Sequence, residues 1–184
     1  FDKLLLDNIV VPWLKNNFNL PDGFRINEKY AKLIRMATWA TEQAKIELSA
    51  KETASVQLDE SVIRCSDESG NEIYLDVPLS REQYNNLIFP KIDETIEKTH
   101  EVISNVGLKP EDINYVVFVG GPTQYKPLRD RVSQQLGIAP STDVNPMTAV
   151  SEGAAIYAES VDFETAKGGQ KADKGIIKAQ SFGL

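Results

Sequence analysis

The stretch Tyr115-Val116-Val117-Phe118-Val119-Gly120-Gly121-Pro122-Thr123 decides the fold that we predict for this chain. Its first five residues are apolar and show no alternation, which is typical of a strand covered on both faces. The two glycines that follow allow positive φ angles and a close approach of the backbone to a ligand. A helix from about Pro127 to Leu136, ended by Gly137, comes next. A strand, a glycine turn and a helix in this order predict an α/β fold.

Two interpretations of the glycine pair stay open on the residues alone. Free N–H groups near a helix N-terminus can bind an anion. A plain strand-to-helix turn explains the same spacing. The turn is not a Walker motif, because no Lys-Ser or Lys-Thr pair closes it, and it lacks the third glycine of a dinucleotide fingerprint.

Further elements follow on the C-terminal side of this turn. Asn145-Pro146 predicts the start of a last helix that is rich in small residues. On the N-terminal side, the capping box Ser80-Arg81-Glu82-Gln83 predicts the start of a third helix. Pro90 suits the first turn of a fourth helix, which Gly107 ends.

The first 80 residues predict a helix pair and a small antiparallel sheet. Residues 1–20 form an amphipathic helix with a kink or boundary at Pro12, and Asn27–Ser49 form a stronger helix. Period-two alternation and turn residues then predict three strands, at Ala54–Leu58, Val62–Ser66 and Glu72–Val77, with a hairpin turn over 67–71.

Three polar residues of the second helix share one face. Glu42, Lys45 and Ser49 follow at steps of three and four residues and span about 10 Å along the helix axis, a length suited to a nucleoside. A solvated face with a Glu42–Lys45 ion pair explains the same spacing. The residues alone do not decide between these two interpretations.

Composition excludes several classes of function. The net charge of −7 and the pI near 4.8 argue against a nucleic-acid clamp and against a basic membrane-surface protein. No apolar run is long enough to cross a bilayer. Cys65 is the single cysteine, which excludes an internal disulfide and fits a cytoplasmic origin. We find no metal-ligand spacing, and Phe1 in place of Met indicates a piece of a longer protein.

Three motifs, in order, resemble the seventy-kilodalton heat-shock chaperones of the DnaK type. Glu42–Ser49 resembles their nucleoside-contact helix, Val119–Thr123 their second-lobe adenosine loop, and Asn145–Ala155 their closing helix. The resemblance covers about residues 1–160. It implies a fragment of the second lobe of an actin-like, ribonuclease H-like ATPase domain. Residues 1–87 would form its peripheral subdomain and 88–160 part of its central α/β subdomain. Outside the resemblance, the Lys- and Gly-rich composition predicts a flexible basic tail over 161–184.

The resemblance also implies an adenine-nucleotide site without catalytic or metal-binding residues. Glu42 and Lys45 would bond the ribose, Ser49 would touch the adenine edge, and Gly120 and Gly121 would pass close to the nucleoside and α-phosphate. The remaining residues implied near the nucleoside are Ile46, Pro122, Gln124, Tyr125 and Met147. Many family members have Arg where Gln124 stands and an acid where Met147 stands.

The function implied is the adenosine half of the nucleotide site of a chaperone that couples ATP binding and hydrolysis to protein folding. ATP or ADP, with Mg²⁺ in the parent, would be the ligand, and this piece alone would hydrolyse nothing. Exchange factors, co-chaperones and unfolded polypeptides, the last through an absent substrate domain, would be its partners. Gln124 and Met147 motivate an alternative, a docking module for an exchange factor or co-chaperone with weak or no nucleotide binding. An actin-like filament protein is disfavoured by the pattern Glu42-x-x-Lys45-x-x-x-Ser49.

Overall fold

The computed structural model describes residues 1–141 and 143–166, which contain seven α-helices and a two-stranded sheet. The helices are α1 (Asp2–Leu5), α2 (Val11–Asn17), α3 (Ala31–Leu48), α4 (Glu60–Ile63), α5 (Arg81–Asn105), α6 (Lys126–Leu136) and α7 (Ala149–Ala166). The strands are β1 (Thr53–Leu58) and β2 (Leu75–Ser80). The chain divides into two compact units, Phe1–Val102 and the residues from Ile103 onward. The predicted domain boundary at 87/88 therefore falls inside α5.

The first predicted helix is present in two parts. A π-helical segment, Leu6–Val10, separates α1 from α2, and Pro12 is the second residue of α2. The ring of a proline clashes with the carbonyl one turn back and removes a hydrogen bond, so a widened turn just before Pro12 accommodates it. The predicted boundary at Pro12 is confirmed.

The core of the first unit lies between α3 and the sheet. The apolar stripe of α3 is buried as its spacing predicts, at Leu33, Ala37, Ala40, Ala44 and Leu48. The helix contacts β1, whose Val56 and Leu58 are also buried. Alternation thus turns one face of the strand inward and leaves Gln57 exposed.

The sheet has two strands, not the three that we predicted. β1 and β2 pair antiparallel, from Thr53 with Ser80 to Leu58 with Leu75. The predicted strand Val62–Ser66 is wrong, because Asp59 caps a short helix there by accepting the N–H of Ser61 at 2.8 Å. A single bridge between Ser66 and Glu72 remains of the predicted hairpin.

The predicted turn over 67–71 is confirmed and is built around Asp67. Its buried carboxylate accepts backbone N–H groups from Asn19, Ser69 and Asn71 at 2.8–2.9 Å. Burial by itself would raise the pKa of Asp67, but these donors stabilise the charged form and lower the pKa to about 2. The Asp67 carboxylate therefore connects the segment just after α2 to the turn.

The third and fourth predicted helices are one helix, α5. Its start is confirmed as a capping box, since Ser80 N–H donates to Gln83 Oε1 at 2.9 Å and Gln83 N–H donates to Ser80 Oγ at 3.1 Å. Pro90 lies inside the helix. Pro90 and Asn86 are both exposed, so water can bond the Asn86 carbonyl that the proline leaves free.

The prediction that Tyr115–Val119 is a strand buried on both faces is wrong. Within the described residues it makes one isolated parallel bridge, between Val116 and Pro140, and the side chains of Tyr115, Val117 and Val119 are exposed. A covered strand needs neighbours on both edges and both faces, and the described residues do not provide them. The helix after the glycine turn is confirmed as α6, which ends at Gly137 in the left-handed conformation with φ of 68°.

The last helix begins later and ends later than expected. Residues 146–148 form a turn, and α7 begins at Ala149, whose N–H donates to the Asn145 carbonyl at 2.9 Å. Residues 161–166, predicted as the start of a tail, belong to α7. The rest of the predicted tail, 167–184, lies outside the described residues.

Candidate functional site

The helical part of the predicted site lies on α3 in the first unit. Glu42, Ile46 and Ser49 are exposed, and Ser49 is the residue that directly follows the helix. The side chain of Lys45 is 17% exposed. Since the buried stripe of α3 faces the core, this polar face is the one that remains open to solvent.

Lys45 is held by a partner that the sequence analysis missed. Its Nζ lies 2.5 Å from Oδ1 of Asp2, in α1, which packs on α3. The Glu42–Lys45 ion pair that we weighed as an alternative does not form, and the Glu42 carboxylate has no ion-pair partner among residues 1–141 and 143–166. A contact between residues so distant in sequence leaves no signal in helical spacing.

Ile46 also borders a groove between α3 and β1. The groove has a volume of about 420 Å³, and Trp39, Gln43, Ser55 and Gln57 are among the residues that line it. The Trp39 side chain is 54% exposed. An indole is large and apolar, so this exposure marks a surface suited to a partner or ligand.

The glycine turn lies in the second unit. Gly120 has φ of 91°, a conformation that favours glycine, and Gly121–Gln124 form a short 3₁₀ turn. The Gly120 N–H donates to the Pro146 carbonyl at 2.8 Å, so it is not free for an anion, which was one of the two interpretations that the residues left open. The Gly120 carbonyl accepts the Thr123 hydroxyl at 2.7 Å, which fixes the turn.

Two of the three sequence motifs meet at this turn. A Cβ at Gly121 would lie 3.9 Å from Sδ of Met147, and the Met147 N–H donates to Asn145 Oδ1 at 2.9 Å. Gln124 and Met147 are exposed, whereas the Tyr125 side chain is buried. A ligand at the turn could therefore touch Gly121, Gln124 and Met147 directly, but Tyr125 only through its backbone.

A further cluster of polar side chains lies in the first unit. Glu68 accepts Lys29 Nζ at 2.8 Å and the Tyr30 hydroxyl at 2.6 Å, which lowers the pKa of Glu68. The hydrogen bond from Lys29 to Glu68 raises the pKa of Lys29. The pKa of Tyr30 is also raised, first by burial of its hydroxyl and second by its own hydrogen bond to Glu68. These groups hold the 67–71 turn against the start of α3, which is a structural role.

Two kinds of site are absent from the part of the chain that the structure describes. No cluster of three or more His, Cys, Asp or Glu side chains there is arranged to hold a metal ion. None of the helices described is both long enough and apolar enough to span a bilayer.

Comparison with known protein families gives a match to the Hsp70 protein family over residues 4–167. The match includes α3, the glycine turn and α7, the three segments that carry the sequence motifs. Since it covers well over half of the sequence, the chain belongs to the Hsp70 family.

Proposed function

We propose that this chain is part of an Hsp70 nucleotide-binding domain and supplies residues that bind the adenosine portion of ATP or ADP. Membership in the family implies the actin-like ATPase fold, to which a peripheral subdomain of helices and a small sheet belongs. The observation that carries the proposal is the face of α3, where Glu42 is exposed beside the anchored Lys45 and has no ion-pair partner within the described ranges.

The two charged residues suit a ribose. The Glu42 carboxylate can accept hydrogen bonds from sugar hydroxyls, and charge-assisted bonds of this kind are the strong ones. The Lys45 ammonium has three donors, so it can keep Asp2 and still donate to a sugar oxygen. Asp2 positions the Lys45 side chain before any ligand arrives, which reduces the entropy lost on binding. Ser49 offers a hydroxyl to the adenine edge.

The remaining proposed contacts are an apolar residue of α3 and the residues of the glycine turn. Ile46 offers an apolar surface for the adenine ring on α3. At the glycine turn, Gly120 and Gly121 let the backbone approach the nucleoside, and the nearby residues are Pro122, Gln124, Tyr125 and Met147. Gln124 lacks the guanidinium plane that would stack strongly on a base, so we expect weak binding.

The chemistry of the parent protein requires residues beyond these. Bound ATP with Mg²⁺ supplies the phosphoanhydride whose hydrolysis drives the chaperone cycle. Phosphoryl transfer depends on positioning and charge neutralisation at the phosphates. The residues proposed here contact the nucleoside, so we expect this chain alone to hydrolyse nothing. Exchange factors, co-chaperones and unfolded polypeptides are the proposed partners of the parent, in the cytoplasm.

A titration with ADP, followed by calorimetry or by amide chemical shifts, tests the nucleoside site. Glu42→Ala removes the free carboxylate and should weaken ADP binding about tenfold or more, since hydrogen bonds to charged groups contribute about 1.5–3 kcal/mol. Glu47→Ala is the matched control on the same helix, because the Glu47 carboxylate pairs with Lys51 at 3.3 Å and lies outside the proposed contacts. Micromolar ATP affinity, phosphate release above background, or equal effects of the two variants would contradict the proposal.

A second candidate function is docking of a nucleotide-exchange factor or co-chaperone on the first unit. The exposed Trp39 in the groove beside β1 favours it. Trp39→Ala should then abolish capture of an exchange factor by the chain and leave ADP binding unchanged. Capture that survives this substitution would exclude the groove as the docking surface.

A further inference from the structure

The second unit contains a cavity that the proposed function does not use. It has a volume of about 740 Å³ and lies between α6 and residues 140–141 and 143–146, with Phe118 as a further wall. Its size is within the range of small-molecule sites in proteins.

The charges that line this cavity divide into a paired set and an unpaired set. Lys126 Nζ lies 2.5 Å from Oδ2 of Asp130, so these two neutralise each other. Arg129 and Asp143 form no ion pair, with each other or with any other residue of the described ranges. Among the described residues that line it, the cavity therefore presents one cation and one anion without an ion-pair partner, and these two lie too far apart to bond directly.

The rest of the lining combines apolar residues with the uncharged polar residues Ser133, Gln134, Ser141 and Asn145. Phe118, Val144 and Pro146 supply hydrocarbon surface, and Arg129 is half-buried. Ser133, on the same helix as Arg129, also lines the cavity, and its buried hydroxyl has no hydrogen-bond partner within the described part of the chain. Buried hydroxyls without a partner are uncommon in proteins, so this group is available to a ligand or a water molecule.

We propose that this cavity binds a small zwitterion with an apolar side chain, of the chemical class of a free α-amino acid. The carboxylate of the ligand bonds the Arg129 guanidinium, which matches a carboxylate in shape and charge. Its ammonium faces Asp143, and its side chain packs against Phe118 and Val144. A simple anion or cation would satisfy only one of the two charges. The inference is independent of the nucleoside site, since no residue of the cavity belongs to that site.

The structure offers a reporter of occupancy that is separate from any activity. Pro146 lines the cavity, and its carbonyl accepts the N–H of Gly120 at 2.8 Å. A ligand that shifts Pro146 alters this hydrogen bond, and the Gly120 amide resonance will move with it.

Three probes that share a phenyl group test the proposal on the full chain by amide chemical-shift titration. L-phenylalanine carries both charges, 3-phenylpropionate only the negative charge, and phenethylamine only the positive charge. We expect L-phenylalanine to give saturable shifts at Gly120 and at the cavity residues, with an affinity at least tenfold above those of the other two probes.

Substitutions separate the two contacts. Arg129→Gln should weaken L-phenylalanine binding about tenfold, and Asp143→Asn should weaken it by a smaller factor because Asp143 is exposed. The double variant Lys126→Gln/Asp130→Asn is the matched control, since it removes an ion pair that is already neutral, and it should leave the affinity unchanged. The proposal is overturned if no probe gives saturable shifts up to 20 mM, if 3-phenylpropionate binds as tightly as L-phenylalanine, or if Arg129→Gln binds L-phenylalanine as well as this control does.

Discussion

The two units of this chain bury their predicted apolar segments to different extents. In the first unit the predicted apolar stripes are buried, and the side chains of Leu33, Val56 and Ile88 are fully inaccessible to solvent. In the second unit Tyr115 is 62% exposed and Val150 is 72% exposed, although both belong to segments with an apolar pattern. Apolar residues of the second unit are also buried, at Tyr125, Leu128, Leu136 and Ile138, but its apolar strand segment stays partly open to solvent.

This difference shows that an apolar run specifies a surface to be covered but does not specify what covers it. The first unit provides its own partners, because β1 and β2 pair and α3 packs on them. In the second unit, the residues described leave Val117 39% and Val119 43% exposed. The stability of the chain should therefore depend far more on side chains of the first unit.

The largest expected effect comes from a core truncation in the first unit. Leu33→Ala removes a fully buried side chain from α3 and should lower the free energy of unfolding of this unit by about 2–5 kcal/mol. Val150→Ala in α7, where the side chain is exposed, should change it by less than about 0.5 kcal/mol. Urea unfolding followed by circular dichroism measures both. Equal losses of unfolding free energy in the two variants would mean that Val150 is also part of a buried core.

A smaller effect is expected from acid, again in the first unit. The pKa of Asp67 is lowered to about 2 in the folded chain against an ordinary value of 3.8. A depressed folded-state pKa adds stability that is complete above the ordinary value and is lost as the pH falls through the folded value. The stability contributed by Asp67 should therefore decline between about pH 4 and pH 2.

Denaturation series at several pH values check this prediction. Asp67→Asn cannot ionise, so its stability should depend less on pH in that window than that of the natural chain. Asp76→Asn is the control, because Asp76 is exposed on β2 and accepts only side-chain donors, from Ser55 and Gln57. A pH dependence that survives in Asp67→Asn would assign it to other carboxylates.

The smallest expected effect concerns two glycines of the second unit that differ in backbone conformation. Gly137 ends α6 with φ of 68°, so Gly137→Ala should destabilise by about 1 kcal/mol through backbone strain. Gly153 lies inside α7 with open space around its Cβ position, so Gly153→Ala should stabilise α7 by about 0.5–1 kcal/mol. Amide hydrogen exchange in α6 and α7 measures both. Changes of the same sign would contradict the assigned conformations.

Local signals explain which parts of the fold could be predicted. The capping box at Ser80 and Gln83, the stripe of α3 and the alternation in β1 each depend on residues close in sequence, and all are present. The strand assigned to Val62–Ser66 was wrong because a short apolar run fits a strand and a helical turn equally well. Asp59, which caps the helix there, decides the outcome.

Pairing over long distances explains what could not be predicted. Helical spacing places Glu42 and Lys45 on one face, but only the folded chain brings Asp2 to Lys45. In the same way, the meeting of Gly121 with Met147 depends on the path of the chain between them. Spacing within one element gives candidate residues, whereas their partners come from tertiary structure.

The ion pair between Asp2 and Lys45 has a consequence for ligand choice. With Glu42 beside it, the pair places two carboxylates and one ammonium at this face of α3, one of the carboxylates coming from α1, so the local field is negative. Such a field repels a polyphosphate chain and does not penalise an uncharged sugar. Adenosine should therefore bind this face at least as well as ATP does.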